Sequence, residues 1–230
     1  LLVVGSFEPE SIMQLIRENQ TEKEFPPAPQ ITRVFPEEPA AVAQAKVEAF
    51  LTVGLPKCMI GIKEKETGLS KEALLKRDLT TKLILDIAFG TSSAIYERLY
   101  ESELITESFD FDYSSEKDYA YTIIGGDTPD PDRLVATIKA EIAQLKQTGI
   151  NQEEFERAKR KKIGNFLRSL NSVEFIANQF TSFKFNGNDL FSVVPTLESI
   201  TLEEVGQRLN EHFLEEQMAV SIVRSASPQE

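Results

Sequence analysis

The chain has 230 residues, 41% of them hydrophobic and 9% aromatic, enough for one sizeable core, and no apolar run approaches the roughly 20 residues that a membrane helix needs. Its net charge of −12 disfavours nucleic acid as a partner, because a phosphate backbone would be repelled. The single cysteine, Cys58, rules out an internal disulfide and points to a reducing, cytoplasmic setting, with the thiol buried and inert.

Leu1–Gly5 reads as a strand, and Ser6 to Pro9 as a turn into a helix with Ile12, Leu15 and Ile16 on one face. Thr21–Pro39, charged and proline-rich, can continue neither helix nor sheet, so residues 1–20 are expected to be the tail of a preceding domain, 21–39 a linker and 40–230 the main domain. Alternating Val47, Ala49, Leu51 and Val53 predict a strand over Ala45–Val53, and Lys57–Lys63 predicts a second after the Gly54–Pro56 turn. Ser70 is placed to cap a long amphipathic helix that ends at Phe89 before Gly90, and a shorter helix is expected from Ser92 to about Glu103. Phe109, Phe111 and Tyr113, then Tyr119, Tyr121 and Ile123, alternate with mostly polar residues about the Ser114–Asp118 turn, as in a hairpin with one buried face.

Gly125-Gly126-Asp127 reads as a strand-ending turn, not a phosphate loop, since no Lys-Ser/Thr follows it. Helices are expected over Asp132–Gln147, after the Asn151 cap with Phe155, Ile163 and Phe166, over Val173–Phe185, and from Thr201, where Thr201 and Glu204 form a capping box. Met218–Val223 reads as a closing strand. It is followed by Ser225–Gln229, a turn and proline that echo the opening segment as the ends of two repeats would. The sum is an α+β domain with an antiparallel-dominated sheet and helices packed on one face.

Leu1–Glu10 resembles the strand and turn near the end of the first half of M16 (insulinase/pitrilysin-like, mitochondrial-processing-peptidase-like) zinc peptidases. Phe89-Gly90-Thr91-Ser92-Ser93-Ala94-Ile95-Tyr96-Glu97-Arg98-Leu99-Tyr100 looks like that family's Gly-x-Ser-Ser-x-Leu-Tyr-x-x-Leu-Arg segment in the second half, as in bacterial members. The resemblance implies a half with ferredoxin-like elements that pairs with the N-terminal half of the same protein, or with a related subunit, around a peptide substrate. Zinc is expected in that other half, on His-x-x-Glu-His and a later Glu, and no cofactor in this chain, which would be inactive by itself. The alternative is a structural or interaction domain of a non-catalytic subunit.

No catalytic or metal-binding residue is identified here. The family's substrate-holding Arg and Tyr fall on Tyr100 and Glu107, both changed, so these are substrate-facing positions without the family chemistry. The lone histidine lies in His212-Phe213-Leu214-Glu215-Glu216, which imitates the zinc motif but lacks its second His, and it is expected to be an exposed or partly packed helical residue with no acid partner. Ser92 and Ser93 are expected to cap a helix.

Overall fold

The structure, a computed structural model, describes residues 1–32, 34 and 39–226. Arg33 and residues 35–38 of the expected linker, and Ser227–Gln229 of the closing echo, lie outside the described residues.

Five strands form one sheet in the order β1-β5-β2-β4-β3: β1 (Lys46–Leu51), β2 (Lys57–Lys63), β3 (Asp110–Ser115), β4 (Ala120–Asp127) and β5 (Met218–Ser225). All neighbours are antiparallel except β1 and β5, which run parallel at one edge. Because successive side chains point to opposite faces, Cys58, Ile60 and Ile62 of β2, Ile124 of β4, and Val220 and Ile222 of β5 make one continuous buried face. The helices cover that face only. At its centre is α2 (Lys71–Phe89), packed on β3 and against α5 (Gln152–Ser169), α7 (Val193–Ser199) and α8 (Leu202–His212), while α4 (Pro131–Thr148) packs on β2. Leu79, Leu83, Leu85 and Phe89 are buried in α2 together with Arg77 and Thr81, so this helix is enclosed on nearly every side, as a central core helix must be.

Local signals set most helix ends. Ser93 caps α3 (Ala94–Glu101), accepting from the Tyr96 amide at 3.0 Å, and Asp130 and Asn151 cap α4 and α5. The Thr201–Glu204 capping box opens α8 with both reciprocal bonds present. Helix α6 (Val173–Phe185) follows α5 after a break at Leu170–Ser172. Helix α7, behind a 3₁₀ turn at Leu190–Ser192, has no counterpart among the expected elements.

Several expectations are corrected. Leu1–Val4 pairs with no strand among the described residues, since a strand exists only through its neighbours' hydrogen bonds. Helix α1 (Pro9–Thr21) forms, but none of its residues is buried. Ser70 occupies the N-cap of α2 without making the side-chain bond, and Ser92 caps nothing. The expected β1 alternation does not become burial: all six residues are exposed, and Lys46, Glu48, Asp132 and Arg224 form a surface ion-pair group joining β1, β5 and α4.

The hairpin forms, but β4 has the opposite phase. Ala120, Thr122 and Ile124 face the helices, while Tyr119 and Tyr121 lie in solvent, stacked 6.3 Å apart. Gly125 and Gly126 are strand residues, not a turn, paired with Met59 and Cys58. A Cβ on Gly126 would lie 2.6 Å from the Ser108 carbonyl, and one on Gly125 would collide with that of Cys58; only glycine permits backbones this close.

Candidate functional site

Two places carry chemistry that the sequence brought forward. The first is the connection from α3 to β3. Helix α3 ends in a Schellman arrangement, with Leu104 N bonded to the Leu99 carbonyl and Glu103 N to that of Tyr100 (3.0 Å each) and Glu103 held in the left-handed region at φ 56. This fixes Tyr100, which is 56% exposed and stacks on Tyr96 at 6.2 Å; Tyr96 in turn meets Phe109 edge-on. Glu107 is exposed in the Thr106–Ser108 bend, which the Ser108 hydroxyl ties to the end of β4 by accepting from the Asp127 amide at 2.8 Å. The nearest guanidinium in sequence is committed elsewhere. Arg98 makes a two-pronged contact with Glu141 of α4 (2.8 and 2.5 Å), and that bonding raises its pKa, so it does not replace the missing Arg.

The second place is His212, and here the expectation fails. The ring is 2% exposed, and it has an acid partner in Glu64, just past β2. His212 Nε2 lies 2.7 Å from the Thr122 hydroxyl and Nδ1 lies 3.3 Å from Glu64, so Thr122, His212 and Glu64 line up as a hydroxyl–imidazole–carboxylate series. Arg208 pairs with Glu64 through two nitrogens, donates to the Thr81 hydroxyl at 2.9 Å and stands 3.2 Å from His212 Nδ1; Tyr113 donates to Glu64 at 3.1 Å.

A catalytic reading of this series does not survive its surroundings. Thr122 has no exposure and Glu64 only 5%, so no substrate reaches the hydroxyl. Every polar atom of the ring has a partner inside the cluster: Nε2 meets the Thr122 hydroxyl, Nδ1 stands between Arg208 at 3.2 Å and Glu64 at 3.3 Å, and the guanidinium holds the carboxylate. The cluster is a polar keystone joining α8, α2, β2, β3 and β4.

Burial holds the His212 pKa below its usual 6.5 against the opposing pull of Glu64. Burial would raise the Glu64 carboxyl, but bonds from His212 and Arg208 outweigh it and hold it well below the usual carboxylate range. A base with a depressed folded pKa leaves the unfolded chain to take up the proton first, so this contribution is present above about pH 6.5 and lost as pH falls below it. Thermal midpoints are therefore expected to fall between about pH 7 and pH 5.5, with a flatter slope in His212→Gln. An unchanged slope in the variant would remove His212 as the source.

The sequence held a signal for this cluster that went unused. Val205, Arg208, Leu209 and His212 recur at three- and four-residue spacing on one face of α8, and all four are buried. Among the described residues no three His, Cys, Asp or Glu side chains are placed to hold a metal ion, and the donor set here, one imidazole already bonded on both nitrogens, does not fit zinc.

The described residues thus make a one-sided α+β domain, a mostly antiparallel sheet with its helices on one face. Residues 1–162 match the family described as the peptidase M16 inactive domain. The chain is 41% identical over 220 residues to the uncharacterized zinc protease YmfH of Bacillus subtilis strain 168, covering 96% of this chain and 51% of that protein. Its fold superposes on a proposed M16-like peptidase from Alicyclobacillus acidocaldarius with a TM-score of 0.90, at 32% identity over 96% of this chain and 52% of the other. An inactive peptidase domain of a proposed zinc protease from Bordetella parapertussis shares the fold at a TM-score of 0.64 and 16% identity, over 79% of this chain and 97% of that one. This chain belongs to the peptidase M16 inactive-domain family. It spans about half the length of the curated relative it matches.

Proposed function

We propose that this chain is the zinc-free C-terminal half of a bacterial, cytoplasmic M16 zinc metallopeptidase, forming one wall of a chamber for peptide substrates and inactive without the N-terminal half. The observation that carries the reading is the one-sided sheet. Its helix-free face presents Val47 and Leu51, Met59, Tyr121, Asp110 and Asp112, with Gly61, Gly125 and Ala219 keeping the centre low, and it lies open along all five strands. Such a surface suits an extended peptide.

Residues 1–20 are read as the tail of the preceding half and 21–39 as the linker. The exposed Leu1, Leu2, Phe7, Met13 and Leu15 fit a segment made to pack on something outside this domain. Zinc belongs to the other half, and Tyr100 and Glu107, on the connection from α3 into the edge strand β3, are read as substrate-facing at the rim of that wall.

The test is reconstitution. Chain and other half, produced separately, should each leave a quenched fluorescent peptide intact and cleave it when mixed. Chelator-sensitive cleavage by this chain alone would overturn the assignment. A second reading, the structural or interaction domain of a non-catalytic subunit, is favoured by Tyr100 and Glu107 standing where an Arg and a Tyr would grip substrate. In that case mixing produces no cleavage, and the upstream half carries no His-x-x-Glu-His.

A further inference from the structure

Two guanidinium groups are buried among the described residues, those of Arg77 and Arg208, and only one of them has a carboxylate. Arg208 takes Glu64, the one buried acid, which Tyr113 and His212 also contact. Arg77, one turn before Thr81 on α2 and 8% exposed, makes a single side-chain bond, from Nη1 to the Glu66 carbonyl at 2.6 Å. Its Nε and Nη2 have no partner. These two nitrogens form the edge with which an arginine grips an oxyanion through two parallel bonds. The Ser115 hydroxyl oxygen, on the same face of β3 as Tyr113, is likewise buried without a partner.

Arg77 belongs to the surroundings of the Glu64 cluster. Burial raises the Tyr113 pKa and lowers that of His212, and the positive charge of Arg77 acts on both, against burial at Tyr113 and with it at His212. With His212 neutral, the enclosed charges are two guanidinium groups against one carboxylate. A buried charge is costly unless it is paired and its donors are satisfied. One further negative charge carrying two acceptor oxygens balances the cluster and fills the Nε–Nη2 fork, whereas a cation or a neutral apolar group does neither. The approach is the Lys65–Ser70 connection from β2 to α2, exposed except at Leu69 and pinned by the Glu66 bond and by Gly68 N to the Lys117 carbonyl at 2.7 Å. The fork itself is covered, so entry requires this short connection to yield. That admits a small free ion and not a side chain presented by another domain.

We propose that Arg77, with Ser115, forms a buried site for one small monovalent oxyanion of the carboxylate or nitrate type, held through Nε and Nη2 between α2 and the end of β3. The proposal is independent of the peptidase reading.

Thermal unfolding of the chain titrated with sodium formate, in the parent and in Arg77→Met, tests it. General salt effects are common to both proteins and cancel in the difference. A saturable rise in the parent is expected, exceeding that of Arg77→Met by roughly 3–6 °C at about ten times the dissociation constant. Arg77→Lys, which keeps the charge but loses the fork, should bind at least about tenfold more weakly, and Arg168→Met, on the exposed side of α5, should match the parent. In the parent, the Arg77 Nε–H resonance, assigned by its loss in Arg77→Lys, should move with formate to the same saturation point, a readout that stands even if Arg77→Met fails to fold. A rise without saturation, an equal rise in parent and Arg77→Met, or an Arg77 Nε–H signal indifferent to formate would mean that water or side-chain rearrangement satisfies the guanidinium, and would overturn the proposal.

Discussion

Replacing Glu64 with alanine is expected to destabilise the fold by about 3–5 kcal/mol, because Arg208 would be left as an unpaired charge in the core. Arg208 is 8% exposed and cannot turn to water without displacing α8 from α2, where it also holds Thr81. Domains of this size are stable by only about 5–15 kcal/mol, so a loss of that order brings the variant close to unfolding at moderate temperature. Tyr113→Phe, which removes one bond to the same carboxylate, should cost about 1 kcal/mol. Exchanging the whole pair for apolar residues, Glu64→Leu with Arg208→Met, should cost less than Glu64→Ala, since no charge is stranded. Urea unfolding of the three variants measures this directly. A Glu64→Ala midpoint close to that of the parent would show that water reaches the cluster, and the keystone reading would fall.

Restoring the family pair, Tyr100→Arg with Glu107→Tyr, is expected to raise peptide cleavage by the reconstituted two-half enzyme on the order of a hundredfold or more. Attack of water on a peptide carbonyl builds negative charge on the oxygen, and removing one placed donor from such a site typically costs about a hundredfold to a thousandfold. On the proposed reading, Tyr100 would offer a single phenol where a guanidinium presents a fork, and Glu107 would bring a carboxylate toward a developing negative charge. Both positions are exposed, so the double change disturbs no core packing. Steady-state kinetics with a fluorogenic peptide is the measurement, and kcat should carry the gain. A rate unchanged by the pair would mean that these positions do not face the reacting carbonyl, and would strengthen the reading of the chain as a non-catalytic subunit domain.

The sequence made the fold class legible through patterns that repeat within one element. The stop of α2 at Phe89 before Gly90, the capping box at Thr201 and the alternation of Cys58, Ile60 and Ile62 each report a local choice that the surrounding structure leaves standing, whereas the one-sided apolar face expected of α2 gives way to burial nearly all round. The α3 segment that carries the family resemblance was equally readable, because a family motif is contiguous in the chain. What escaped reading depends on neighbours distant in sequence. Helix α7 is too short to show a helical period, and it forms because Leu197 is buried in the core against α2 and α5.

The amino-acid sequence by itself determined where most helices begin and end, which segments after residue 40 become strands, and that a single core would form, since caps, breakers and periodicity act within a few residues. Only the tertiary structure decided which face of β4 is buried and what becomes of the lone histidine. Register is fixed by pairing with β2, where Gly125 and Gly126 pass close to other backbone and Thr122 is turned inward. That places a hydroxyl opposite His212, from 90 residues away, while Glu64 arrives from the end of β2 to hold Arg208. A buried charge is tolerated only where a partner meets it, and the partner's identity is a property of the packed fold.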